Sequence, residues 1–226
     1  MILDILAYVR QMLPLGLAAL IVFLLLRPIR KRRLKELRLV SSGLRESALA
    51  LFFVFCAGLA ALTLFPANFW GYVFDWLFRR TYWNWAWDGL RLADFYPSWE
   101  ETIAQTSYLS NMLIPFQEIC RALRSQSYWL IFMLLGNIIM FMPVGFFPAL
   151  LWRGWRWWKS LLAGCCFSVT IEFIQFFIGR STDIDDVILN TAGALAGFWV
   201  FWLLRLVAPS FIKQFQCRPR GGYYYG

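Results

Sequence analysis

The sequence predicts an all-α integral membrane protein with about five transmembrane helices and interfacial helices in a long external loop. Of its 226 residues, 60% are hydrophobic and 15% are charged, whereas about 25% are charged in an ordinary soluble domain. Its 13 Trp, 22 Phe and 9 Tyr would leave wide apolar patches on a soluble domain of this size. The apolar runs long enough to cross about 30 Å of hydrocarbon are 8–26, 47–65, 128–152, 160–178 and 187–207.

The first run predicts a retained anchor helix. A cleaved signal peptide carries its positive charge before the apolar run. Here Asp4 precedes the run, and a basic cluster follows it. We therefore divide the chain into an anchor helix with a basic cytoplasmic loop (1–46), a helical membrane domain (47–207) and a cytoplasmic tail that we expect to be disordered (208–226).

The basic residues predict the orientation of the spans. Of the 22 Lys and Arg, 15 lie in the three segments 27–46, 153–159 and 205–220, and ten of the 13 acids lie on the opposite side. Basic loops face the cytoplasm. We therefore expect a multi-pass protein of the bacterial cytoplasmic (inner) membrane, with its N-terminus outside and its C-terminus in the cytoplasm.

The net charge of +9 raises the alternative of a nucleic-acid-binding protein. The charges flank apolar spans instead of covering a soluble face, so we predict no nucleic-acid partner. We interpret the run RPIRKRRLKELR, which begins at Arg27, as a cytoplasmic anchor on anionic lipid. Specific phosphoinositide or nucleic-acid binding is the alternative for this run.

The external loop 66–127 is rich in tryptophan, with Trp at positions 70, 76, 83, 85, 87 and 99. Indole rings favour the headgroup level of a bilayer. Ser98 followed by Glu101 fits a capping box and predicts a short helix beginning near Trp99. A second short helix is expected after Pro115. We interpret both as interfacial helices, and an aromatic platform that stacks on glycans is the alternative.

Histidine is absent. This excludes Ser-His-Asp and Cys-His catalysis, His-ligated haem and the usual His-containing zinc sites. The five Cys support no disulfide framework. We predict no cofactor and no metal.

Polar side chains cluster around the last two spans. Ionisable groups inside a membrane are costly unless paired, so they mark candidate functional sites. Gln175 follows Glu172 by three residues on one helical face, and Asn190 follows Asp186 by four. We expect one outward-facing polar cleft with Glu172 paired to Arg180. The cleft residues are Glu172, Gln175, Arg180, Asp183, Asp185, Asp186, Asn190 and Asn137.

Three interpretations of this cleft stay open. In the structural one, Asp183 caps the fifth helix, the next two acids complement its dipole, and Glu172 with Arg180 holds a tight hairpin. In the second, the cleft binds a polar headgroup or a lipid-linked sugar. In the third, Glu172 is a general base and the Asp residues hold a divalent metal against a phosphate. The Asp-x-Asp-Asp string is a weak metal signal, so we assign neither a metal nor a catalytic residue.

Small residues follow Asn190 along the fifth span. Gly193, Ala194 and Gly197 form a small-xxx-small pattern, which allows another helix to approach closely. In the third span, Pro143 and Gly145 can loosen the helix near Asn137. We expect the polar groups of these spans to meet in the one outward-facing cleft.

Three motifs resemble the VanZ-like membrane protein family. They are the run Asn111 to Phe116, the segment Asn137 to Phe146 and, as the most specific, Glu172-Phe-Ile-Gln175 followed by residues 179–193. The resemblance covers about residues 47–205 and implies a small helical membrane protein, linked through the family's best-known member to teicoplanin resistance. It adds Asn111 to the candidate ligand-binding residues. The Trp-rich insert at 70–99 and the basic first loop depart from the family pattern.

We expect this chain to bind an envelope lipid or lipid-linked glycan in the cleft and to affect glycopeptide susceptibility. Its expected partners are membrane lipids, anionic ones at the cytoplasmic face. The alternative is a non-catalytic subunit or assembly factor of a larger membrane complex with integral membrane protein partners. Whether the chain is an enzyme stays open, and the sequence favours a non-enzymatic role.

Overall fold

A computed structural model of the chain describes residues 2–65, 69–74, 100–101, 114–178 and 182–219. Five of its helices are long and apolar enough to cross a membrane. This confirms the predicted fold class and places each span within a few residues of its predicted bounds. The five are α1 (Ile2–Leu25), α3 (Gly43–Leu64), α6 (Tyr128–Leu151), α7 (Trp157–Phe177) and α8 (Ile184–Val207).

Shorter elements connect these helices. They are α2 (Arg27–Glu36), β1 (Leu39–Val40), α4 (Phe69–Phe74), α5 (Gln117–Ser125), α9 (Pro209–Ile212), a 3-10 turn (Lys213–Phe215) and β2 (Arg218–Pro219). The helix predicted after Pro115 is α5. Of the helix predicted near Trp99, only Glu100 and Glu101 lie within the described residues, and both are helical. Most of the Trp-rich loop lies outside them.

Glycines bring α6 and α8 into backbone contact. A Cβ at Gly193 would overlap the carbonyl oxygen of Ile138, and one at Gly197 would overlap that of Met142. In the other direction, a Cβ at Gly145 would overlap the carbonyl oxygen of Ala194. The small-xxx-small stripe predicted on α8 therefore faces α6 and allows the close approach that such stripes provide.

A small apolar cluster joins the long helices. Leu59 of α3, Phe141 and Val144 of α6, Ile171 of α7 and Ala194 of α8 are buried together. α1 packs on α3, where the Gln11 amide donates to the carbonyls of Ala61 (3.2 Å) and Phe65 (2.8 Å). Large apolar side chains on the outer faces stay exposed, as expected where lipid is the solvent.

The three basic segments meet at one end of the bundle, which we call the basic end. β1 pairs antiparallel with β2, so the first basic loop and the tail contact each other. The Ser42 hydroxyl donates to the Gln214 carbonyl, and Arg153 Nε donates to Gln216 Oε1 at 3.0 Å. The charge pattern predicted that these segments share one side, and the structure agrees.

The prediction of a disordered tail is wrong for residues 209–219, which form α9, the 3-10 turn and β2. The physical reason is burial. Ile212 is only 3% exposed and packs in a cluster with Ala149, Leu150, Phe198 and Phe201. Residues 220–226 lie outside the described part of the chain.

Candidate functional site

Four carboxylates lie where α7 ends and α8 begins, at the end of the bundle opposite the basic end. We call Glu172, Asp183, Asp185 and Asp186 the acidic cluster. Glu172 is buried because it continues a stripe with a spacing of four residues, formed by Ser160, Gly164 and Ser168, that is buried along α7. The small members of this stripe let α8 pack closely, and a Cβ at Gly164 would lie 2.5 Å from Ala194 Cβ.

Asp183 begins α8. Its backbone is extended (φ −131°, ψ 128°), and its Oδ1 accepts a hydrogen bond from the amide of Asp185 at 2.8 Å, as an N-cap residue does. The Asp183 amide in turn donates to Glu172 Oε2 at 3.0 Å. Burial raises the pKa of Asp183 above its usual range, the negative charges of Asp185 and Glu118 add to this, and the Asp185 amide and Arg121 oppose it.

Asp185 is the most deeply buried member of the cluster, at 1% exposed. Its Oδ1 accepts a hydrogen bond from the amide of Phe116 at 2.5 Å, and its Oδ2 accepts from those of Glu118 (2.8 Å) and Ile119 (3.1 Å). These amides begin α5, where Phe116 takes up left-handed backbone angles (φ 68°). An anion at a helix N-terminus satisfies amides that have no partner within the helix. Asp185 therefore caps α5 from another helix.

Asp186 turns toward α6, where Asn137 Nδ2 donates to its Oδ1 at 2.6 Å. Within the described part of the chain this is the one hydrogen bond to the Asp186 carboxylate. Asp186 and Asn137 are both half-buried. The pair therefore keeps acceptor capacity that a ligand could use.

Asn190 and Gln175 form hydrogen bonds that join neighbouring helices. Asn190 Nδ2 donates to Ser168 Oγ at 2.9 Å between α8 and α7. Its buried Oδ1 has no hydrogen-bond partner among the described residues. Gln175 Nε2 donates to the carbonyl of Thr63 at 2.9 Å and so joins α7 to α3.

The structure thus brings together most of the predicted cleft. Asn137 and the acidic cluster form a connected group, Asn190 lies one turn deeper along α8, and Gln175 faces α3. Asn111 and Arg180 lie outside the described residues, and so does the predicted pair of Glu172 with Arg180.

Sequence reasoning missed some partners of these residues. Ser168 lies four residues before Glu172, so the helical periodicity of α7 could have identified it. The backbone groups of Thr63 and Glu118 carry no such signal, because a backbone amide or carbonyl is present at nearly every position.

The acidic cluster has little compensating charge in the described ranges. No ion pair there involves a cluster member, and the nearby Glu118 is paired with Arg121 at 2.6 Å. These ranges also contain no group of three side chains that could hold a metal ion. The cluster therefore offers fixed hydrogen-bond acceptors, which favour hydroxyl or ammonium donors.

Comparison with known proteins identifies a family. A family model described as VanZ/LLP1 matches residues 90–205, which include α5 to α8 and the whole acidic cluster. No curated protein and no solved structure matches the chain. The matched region is more than half of the chain and contains the most specific of the three sequence motifs. This multi-pass membrane protein therefore belongs to the VanZ/LLP1 family.

Proposed function

We infer that this VanZ-like protein binds an envelope lipid or a lipid-linked glycan at the acidic cluster and thereby alters susceptibility to teicoplanin. The observation that carries the proposal is the contact between Asp186 and Asn137, 2.6 Å apart within the spans α8 and α6. A carboxylate inside a span is costly and marks a functional site by default. Its unused oxygen lone pairs suit the hydroxyl groups of a sugar or a glycerol headgroup.

The hydrogen bonds divide the candidate residues into two roles. Asp186, Asn137, Asp183 and Glu172 retain acceptor capacity and are the proposed ligand contacts, together with Asn111 and Arg180. Asp185, Gln175 and Asn190 are positioning residues. The amides of α5 engage Asp185, and the other two residues join neighbouring helices.

The link to teicoplanin follows from where that antibiotic acts. It is a lipoglycopeptide that works close to the membrane surface. A protein that holds a lipid-linked envelope component at the outer face changes what is displayed there. A binding role is enough for this effect, and no bond needs to be broken.

Two substitutions test the proposal. Asp186→Asn and Glu172→Gln each remove a charge while keeping the size of the side chain. We expect both variants to lose the effect on teicoplanin susceptibility and to release the lipid or glycan that mass spectrometry detects on the gently solubilised wild-type protein. Thermal unfolding in detergent checks that both variants still fold.

Glu36→Gln is the control, because it removes a carboxylate that is exposed on α2 at the basic end. We expect it to behave like the wild type. Unchanged susceptibility and unchanged bound lipid in both cluster variants would refute the proposal.

A second candidate function is that of a non-catalytic subunit of a larger membrane complex. It is favoured by the exposed side chains of Phe116 just before α5, Leu123 on α5, and Tyr128 and Trp129 at the start of α6. Large aromatic side chains are enriched at protein interfaces. This role predicts co-purification with integral membrane proteins that is lost in Trp129→Ala and retained in Asp186→Asn. A monodisperse monomer carrying only lipid would count against it.

A further inference from the structure

A pocket of about 430 Å³ lies at the basic end, between α2 and the start of α3. Its volume falls in the range of small-ligand sites, about 300–1,000 Å³. The pocket lies outside residues 90–205, which the family model matches, and far from the acidic cluster. Its lining includes Arg27, Lys31, Lys35, Ser41, Ser42 and Glu46.

One wall of the pocket is cationic. Arg27, Lys31 and Lys35 follow one another at a spacing of four residues on α2, which places them on one helical face. All three side chains are exposed, so their charges are available to a ligand. A guanidinium and two ammonium groups on one wall suit a phosphate group.

Another part of the lining is the N-terminus of α3, a helix of 22 residues. Ser42 caps it by accepting a hydrogen bond from the amide of Arg45 at 3.1 Å. The amides of Gly43 and Leu44 precede the first bond within the helix and point out of its end. A Cβ at Gly43 would meet no atom within 4 Å, so the space beside these amides is open.

A buried cation lies in the first turn of α3. Arg45 is only 7% exposed, and its Nη1 donates to Ser41 Oγ, in the pocket lining, at 3.4 Å. Its Nε has no hydrogen-bond partner in the described part of the chain, and no ion pair there involves Arg45. The carboxylate of Glu46, which attracts Arg45, is already paired with Arg30, and a buried guanidinium whose charge is only partly compensated is costly. A negatively charged ligand in the pocket would reduce that cost.

The carboxylate in the lining is already neutralised. Glu46 is paired with Arg30 Nη2 at 2.9 Å and accepts a hydrogen bond from the Ser41 hydroxyl at 2.7 Å. Its charge therefore does not compensate Arg27, Lys31 and Lys35. The pocket as a whole stays positive.

We propose that this pocket binds the phosphate of an anionic phospholipid headgroup. The helices on either side of the pocket enter the membrane, since α1 ends at Leu25 and α3 begins at Gly43. The exposed side chains of Leu26 and Leu37 lie at the two ends of α2 and suit the acyl region of a lipid. A bound lipid would join the anchor helix α1 to the family domain at the basic end.

The test measures binding of one lipid to the full-length protein by native mass spectrometry in detergent. The probes are phosphatidylglycerol, phosphatidylcholine and inorganic phosphate. The wild type should bind one phosphatidylglycerol. Lys31→Gln with Lys35→Gln should weaken that binding by about tenfold or more, since each cation contributes to attraction of anionic lipid. Phosphatidylcholine should bind the wild type no more tightly than phosphatidylglycerol binds the double variant. Millimolar phosphate should not displace phosphatidylglycerol from the wild type.

Arg32→Gln with Arg33→Gln is the matched control. Both arginines are exposed on α2 and lie outside the pocket lining. This variant loses two positive charges, as the lysine variant does. It should retain phosphatidylglycerol. Equal weakening in the two double variants would overturn the proposal, because charge alone would explain the binding. Equal retention in both would overturn it as well, and displacement by inorganic phosphate would assign the pocket to the free anion instead of the lipid.

Discussion

The buried Asp185 carboxylate accepts a hydrogen bond from the backbone amide of Glu118 at 2.8 Å, so the first turn of one span completes the N-terminus of a separate short helix. The amides of Phe116 and Ile119 donate to the same carboxylate. The end of the bundle that holds the acidic cluster is called the acidic end. The start of α8 therefore determines where α5 lies against this end. This gives one acid of the Asp-x-Asp-Asp string a structural role beside the proposed ligand contacts.

Asp185→Ala should detach α5 from the bundle. Three amides would lose a shared acceptor, and an unsatisfied buried donor costs about 1–3 kcal/mol. We expect the amides at 116–119 to exchange with solvent much faster in hydrogen-exchange mass spectrometry, while the cores of α6 and α8 keep their protection. Asp185→Asn should show a smaller effect of the same kind, because its single carbonyl oxygen still accepts.

Arg121→Gln is the control for this change. It breaks the exposed pair with Glu118 on the same helix, and such pairs contribute about 0–1 kcal/mol. Its exchange pattern should match that of the wild type. Normal protection of α5 in Asp185→Ala would show that the cap does not hold the helix.

Local patterns predicted the parts of this site that depend on neighbours in the sequence. The N-cap role of Asp183 follows from its position before an apolar run, and the stripe of Gly193 and Gly197 follows from helical spacing. The contact between Asp185 and Glu118 spans 67 positions, and Gln175 binds a carbonyl on α3. Such contacts depend on how whole helices pack, which the sequence pattern does not specify.

Gly193→Ala and Gly197→Ala should destabilise the bundle. Each new methyl group would overlap a backbone carbonyl of α6, and overpacking of this kind costs about 1–3 kcal/mol. We expect a clear drop in the midpoint of thermal unfolding in detergent. Gly136→Ala is the matched control, since a Cβ there meets no atom within 4 Å. It should be neutral or mildly stabilising, and equal midpoints for all three variants would contradict the proposed packing.

The contact between Asn137 and Asp186 should appear as a coupling energy. A double-mutant cycle with Asn137→Ala and Asp186→Ala isolates the pair. Hydrogen bonds between membrane helices contribute about 0.6 kcal/mol on average and up to about 1.7. At 2.6 Å, this bond should lie in the upper part of that range. Additive effects on the free energy of unfolding would mean that the two side chains do not stabilise each other.

Ser42→Ala should loosen the ordered tail. The Ser42 hydroxyl accepts from the Arg45 amide and donates to the Gln214 carbonyl, so the change removes both the cap of α3 and a link to the tail. Loss of an N-cap alone costs about 0.5–2 kcal/mol. We expect faster trypsin cleavage after Lys213. Ser42→Asn keeps an acceptor for the cap and should recover part of the resistance, whereas equal cleavage in all forms would argue against the link.

The order of the tail could not be predicted from the sequence. The sequence led us to expect a disordered tail over residues 208–226. Ile212 nevertheless packs against Phe198 and Phe201 of α8. A buried side chain, a short strand pair and hydrogen bonds from Ser42 and Arg153 hold residues 209–219, and none of these gives a periodic signal.

The orientation of the bundle is the last prediction. The three basic segments meet at one end, and basic loops face the cytoplasm because positively charged segments are retained on that side. A green fluorescent protein fused after Gly226 should therefore fluoresce, and an alkaline phosphatase fused there should be inactive. The same phosphatase inserted after Gln126, between α5 and α6 at the acidic end, should be active and serves as the matched control. The reverse pattern would place the acidic cluster in the cytoplasm, where it could not meet a component of the outer envelope.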